Sequence, residues 1–194
     1  MLNTRNTLIA TGVLVALQMI SPGIANAKKP DHAKKPKQQA QATTEEESCG
    51  CNLPGRFTGG GLQVVDGVRI TRGLTLHCDK LLSNNLQINW QGNRFHMEEH
   101  LNTAFCSDDP EIKQAPPRAR IDTFQGRGSG RFNTVGGYEV RFKLIDAGEP
   151  GTNDRMGIKI WEKGNEDNPV LEIWPPVPLT HGNLQAHDDQ PHKK

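Results

Sequence analysis

Most of the features that reveal an activity are scarce in this sequence. Aromatic residues fill only 5% of the 194 positions, and just one is a tyrosine. Neither sign of charge is in excess, with 23 lysines and arginines against 22 aspartates and glutamates. A nucleic-acid binder normally carries a clear basic surplus, so that partner class is not expected, and the balance gives no pull toward anionic lipid. Beyond Ile20 no apolar run approaches the roughly 20 residues of a membrane-spanning helix. There is no G-x-S-x-G nucleophile elbow, no H-E-x-x-H pair and no D-x-[DN]-x-[DN]-G loop. Enzyme activity is therefore not expected.

The N-terminus reads as a secretory signal. Arg5 supplies the positive start, Leu8 to Ile20 the apolar stretch, and Ala25-Asn26-Ala27 the small-x-small cleavage site. Ser21-Pro22-Gly23 breaks the apolar run too early for a membrane span, and no cysteine stands at the processing site to take a lipid. Residues 1–27 are thus expected to be a signal peptide, leaving an exported chain, periplasmic or secreted, that is not an integral membrane protein. Without Arg5 the balance is 22 basic against 22 acidic. Residues 28–48 contain no aromatic and no large aliphatic residue, so they lack the apolar area that offsets backbone entropy and read as a disordered linker.

All ten aromatics lie between Phe57 and Trp174, which places the folded domain at 49–189, with 190–194 a disordered tail. Frequent glycine and proline cut this region into short segments. Leu86, Ile88 and Trp90 alternate with Gln87 and Asn89, and Phe95 and Met97 resume the alternation after Gly92-Asn93, the pattern of a hairpin. From Tyr138 to Leu144 apolar residues fall at every second position with charges between them, as in a half-buried antiparallel strand. Strands are expected at 62–65, 68–71, 74–78, 86–91, 94–98, 123–127, 138–145, 156–161 and 170–174. Only 96–105 could pass as a short helix. The fold class is all-β: an antiparallel β-sandwich or a small barrel.

The four cysteines are an even count, which in an exported chain favours disulfides over metal thiolates and leaves three pairings open. Cys49 and Cys51, one residue apart, would form a strained and easily reduced bond. They are either a redox-active or intermolecular pair or a plain staple at the domain edge.

Several motifs appear in a fixed order. They are Phe57-Thr58-Gly59-Gly60-Gly61, Leu76-His77-Cys78-Asp79, Asn84-Asn85-Leu86 with Asn89-Trp90, and Gly92-Asn93-Arg94-Phe95-His96. Cys106-Ser107-Asp108-Asp109-Pro110, Asp146-Ala147-Gly148-Glu149-Pro150-Gly151 and Gly182-Asn183-Leu184-Gln185-Ala186-His187 follow. In this series the chain resembles a β-rich domain of uncharacterised function found, often C-terminally, in exported bacterial proteins. The resemblance implies an all-β exported module with Cys78 bonded to Cys106, and it brings no chemistry with it. Cys49-Gly50-Cys51 is outside the pattern, and Trp174-Pro175-Pro176-Val177-Pro178 stands where a plain strand would be expected.

Candidate ligand sets are weak. Asp146, Glu149, Asn153 and Asp154 offer hard oxygens in a turn-rich loop, which suits a structural Ca²⁺; the plainer alternative is an acidic hairpin loop. His77, His96 and His187 with Asp108 or Asp109 could supply zinc or copper, although His77 is out of phase with Leu74 and Leu76. Gly126-x-Gly128-x-Gly130 lacks the helix and the Lys-Ser/Thr of a phosphate loop. The leading expectation is a non-catalytic module that binds an envelope or extracellular protein or glycan. An exposed Trp161, out of phase with Ile160, or Trp174 would make the contact. The alternative is a metal-binding protein or metal-dependent enzyme.

Overall fold

Period-two alternation of buried and outward residues marks several of the strands, β2, β3 and β5 most clearly. In the second strand Ile70, Arg72, Leu74 and Leu76 are buried while the residues between them face water. The computed structural model describes residues 52–189. The signal peptide 1–27, the linker 28–48, Cys49, Cys51 and the tail 190–194 lie outside the described residues. Nine strands follow one another: β1 (Arg56–Val65), β2 (Val68–His77), β3 (Asn85–Trp90), β4 (Asn93–Ser107), β5 (Thr123–Phe132), β6 (Val135–Ile145), β7 (Arg155–Glu162), β8 (Leu171–Pro178) and β9 (His181–His187). A 3₁₀ turn, Gly151–Asn153, precedes β7. All pair antiparallel in a single curled sheet of order β8-β7-β6-β5-β4-β3-β2-β1-β9. Of the two expected architectures this is the barrel-like one, because one sheet bends round its own core instead of two sheets stacking.

The interior is filled from one side. Phe57, Phe124 and Phe142 form a chain of tilted and edge-on rings with centroids 5.9 and 5.4 Å apart, geometries that suit the aromatic quadrupole. Strand β5 makes room for such bulk by placing glycines at its inward positions. A Cβ on Gly126 would stand 2.5 Å from Phe142 Cζ, and one on Gly128 would stand 2.7 Å from Met97 Sδ. The glycine alternation that superficially resembles a phosphate loop is therefore a packing device. Cys78 and Cys106, both buried, are joined by a disulfide with Cα atoms 5.8 Å apart, tying the end of β2 to the end of β4.

Four expectations need correction. The strands expected at 68–71 and 74–78 are one strand that runs through Gly73. Residues 96–105 are no helix but part of β4, where register shifts between Met97 and Thr103 break the alternation and blur the signal. The proline run 175–178 belongs to β8, which sits at the end of the sheet, where a missing N–H costs no ladder bond. Strand β9, rich in Gly, Asn and Gln, was not expected at all; it returns to pair with β1.

Candidate functional site

The loop Asp146–Asp154 is a seam between the two ends of the curled sheet. β9 bonds β1 along one edge, so its other edge has N–H groups without a strand to receive them. Asp154 Oδ2 accepts the Leu184 N–H at 2.7 Å and Asp146 Oδ2 accepts the Ala186 N–H at 2.7 Å. The remaining oxygens accept from Ala147 at 3.0 Å and Gly148 at 2.8 Å. Both carboxylates are buried, and burial pushes Asp154 up to about 6 against its bonds from Leu184 and Ala147, with Asp146 also raised. Glu149 receives Asn183 Nδ2 at 2.8 Å, and Asn153 is exposed. The Asp146 and Asp154 oxygens considered for Ca²⁺ are thus engaged by backbone donors of β9 and of the loop itself, and one Glu149 oxygen by an amide.

Higher on the same seam, buried Gln63 donates through Nε2 to the carbonyls of Met156 (3.0 Å) and Val177 (2.6 Å). Its Oε1 accepts from Arg72 Nη1 at 2.8 Å. Arg72 points into the barrel; burial lowers it to about 10, offset in part by Asp154, so it stays charged. An interior guanidinium and a side-chain amide do here what a tenth strand would do in a closed barrel.

The histidines do not meet. His77 and His187 both pair across to Arg56, one on each side, so a cation stands in the row between them. His187 Nε2 lies 2.8 Å from Thr58 Oγ1, and burial with Arg56 lowers its pKa. His96 sits on the outer face of β4, and Asp108 is exposed just beyond that strand's end. His96 and His100 have a spacing that would unite two imidazoles on a helix, but both lie in strand β4. Among the described residues no group of three or more His, Cys, Asp or Glu side chains could hold a metal ion.

Of the two tryptophans expected as contacts, only Trp174 is open. Trp161 does point outward, yet it is 1% exposed; the Arg127 guanidinium lies 5.4 Å from its ring centroid and is held in turn by Glu166 at 3.0 and 3.2 Å. It is therefore not available as a contact. Trp174 is 37% exposed. Its ring lies over Gly157, where a Cβ would be 3.0 Å from the ring, and the Arg141 guanidinium sits 4.1 Å from its centroid. Trp174, Arg141, Arg127, Gln125, Phe105 and Thr103 line an outer-face groove of about 530 Å³. Sequence reading missed this set because Thr103 and Phe105 fell in the stretch that could pass as a helix, and because the groove joins side chains from four strands, β4, β5, β6 and β8. A larger depression, about 640 Å³, lies beside Cys78 and is lined by Asn52, Asp79, Lys80 and Asn102 but by no aromatic side chain.

No protein-family model, curated protein or solved structure matches this chain.

Proposed function

We propose that the protein is an exported, non-catalytic binding module and that the groove beside Trp174 takes a glycan. The observation that carries this reading is the composition of the groove: a partly exposed indole and a phenyl ring together with guanidinium, amide and hydroxyl groups. A pyranose ring offers an apolar C–H face and a rim of hydroxyls, and it needs both kinds of wall. Arg141 and Arg127 are held in place by Trp174, Trp161 and Glu166, so their donors are preorganised and little side-chain freedom is lost on binding. Export rests on the leader pattern and is consistent with the Cys78–Cys106 bond.

The test is a glycan array probed with the purified, oxidised protein. Retention should fall about tenfold or more in Trp174→Ala and in Gln125→Ala. The second substitution leaves the ring packing untouched and so guards against a folding artefact. A folded protein retained by no glycan, or retained equally by both variants, would end the reading.

A further inference from the structure

A second concave feature lies on the outer face, where β3, β4 and β5 run side by side. Gln87 pairs with His96, and His96 pairs with Arg131, so the three side chains share one row on the side away from the core. With Arg94 and Thr134 they line a cleft of about 380 Å³, and no carboxylate is among its lining residues. Among the described residues neither Arg94 nor Arg131 enters an ion pair, in contrast to Arg120, Arg127 and Arg141. Two uncompensated guanidiniums, an imidazole, a hydroxyl and an amide therefore face one space. It shares no lining residue with the Trp174 groove.

The turn at the cleft's rim is an independent observation. β5 and β6 are joined by Asn133 and Thr134, with φ of 47° and 75°. Two central residues at positive φ fit the twist of a hairpin, and Asn-Gly is the usual pair for such a turn. This chain puts a β-branched threonine where glycine would be free of strain, at a cost of about 1–2 kcal/mol. The turn is also clamped to the start of β4. Asn133 Oδ1 accepts the Arg94 N–H at 2.8 Å, the Asn133 N–H donates to the Arg94 carbonyl at 2.8 Å, and its Nδ2 donates to Asn93 Oδ1 at 2.9 Å. These bonds fix the Arg94 backbone and hold the strained Thr134 at the same cleft. Strain of this kind persists where the surrounding structure enforces it, and it gathers at ligand sites.

We infer that this cleft binds a tetrahedral oxyanion, a phosphate or sulfate group, through Arg94, Arg131, His96 and the Thr134 hydroxyl. One arginine fork is enough for a planar carboxylate. Donors that arrive from two strands and a turn suit an anion whose oxygens point in several directions.

The experiment is a calorimetric titration of the full-length oxidised protein at low salt with inorganic phosphate, inorganic sulfate, glycerol phosphate and acetate. Saturable 1:1 binding of phosphate or sulfate, with acetate at least tenfold weaker, is expected. Arg94→Ala and Arg131→Ala should each weaken it about tenfold or more. Thr134→Gly should raise the melting temperature and yet weaken binding, a combination that a purely structural turn residue would not produce. Tighter binding of glycerol phosphate would identify the ligand as an ester group on a larger molecule, and tighter binding of the inorganic ion would identify the free ion. Absence of saturable binding, or affinities unchanged in both arginine variants, would overturn the site. An unchanged affinity in Thr134→Gly would overturn the part assigned to the strained turn.

Discussion

Asp154 has no exposed surface, yet both of its oxygens are in use, one by Leu184 and one by Ala147. Asn at this position keeps one acceptor and turns the other into a donor aimed at an N–H. Asp154→Asn should therefore destabilise the fold by about 1–3 kcal/mol, the cost of a buried group left unpaired. The pH dependence tests which influence dominates. Burial lifts the folded-state pKa from 3.8 to about 6, so the native state binds the proton more tightly than the unfolded chain does. Stability contributed in this way is full below pH 3.8 and is lost as pH rises through about 6. The penalty of Asp154→Asn, measured by denaturant midpoint, should then shrink between pH 4 and pH 7. A penalty that grows with pH would mean that the two N–H bonds outweigh burial.

At the scale of the strand, β5 shows one element serving two faces. Its inward glycines admit Phe95, Met97 and Phe142, while its outward Gln125, Arg127 and Arg131 reach the two surface clefts. A Cβ on Gly130 would collide with the Phe95 ring and the His96 carbonyl, and backbone on the neighbouring strand yields little. Gly130→Ala should lower stability by about 1–3 kcal/mol or more through overpacking. Gly73, in the middle of β2 and with open space where its Cβ would go, should show the opposite sign: Gly73→Ala should stabilise by roughly 0.4–1 kcal/mol by restricting the unfolded chain. Urea midpoints of both variants check the pair, and a destabilised Gly73→Ala would show that the strand needs backbone freedom there. Alternation made most of β3, β6 and β7 legible in the sequence. It failed at β4, where the bulges hide it, and at β9, whose polar residues are held by main-chain pairing and two distant carboxylates instead of by their own burial.

For the whole molecule, closure depends on a few non-local links. The disulfide joins residues 28 apart in sequence, and in the chain-entropy model a loop of that length stabilises by roughly 3–4 kcal/mol. Replacing Cys78 and Cys106 together by Ala should cost about that much, and the urea m-value should rise as the unfolded chain expands. A loss below about 1 kcal/mol would show that the Gln63–Arg72 and Asp146–Asp154 links hold the barrel without it. The Gln63 amide, held by Arg72 of the neighbouring strand, joins β1 to β7 and β8, and Asp146 and Asp154 join the loop before β7 to β9, and loss of one leaves buried polar groups facing each other across the seam.

The sequence by itself determined the all-β class, most of the strands and the inward alternation of the core, because a two-residue period is a local property of the chain. The Asp146–Asp154 loop was legible as an acidic turn but not as a seam, because its partners Leu184 and Ala186 lie 30 and 40 residues away. Only the tertiary structure decided that Trp161 is covered and Trp174 open, since burial depends on what distant segments lay against each ring. The cleft of Arg94, His96, Arg131 and Thr134 likewise needs two strands in register and the turn that follows β5, and register is set by curvature and cross-strand pairing that no single segment encodes.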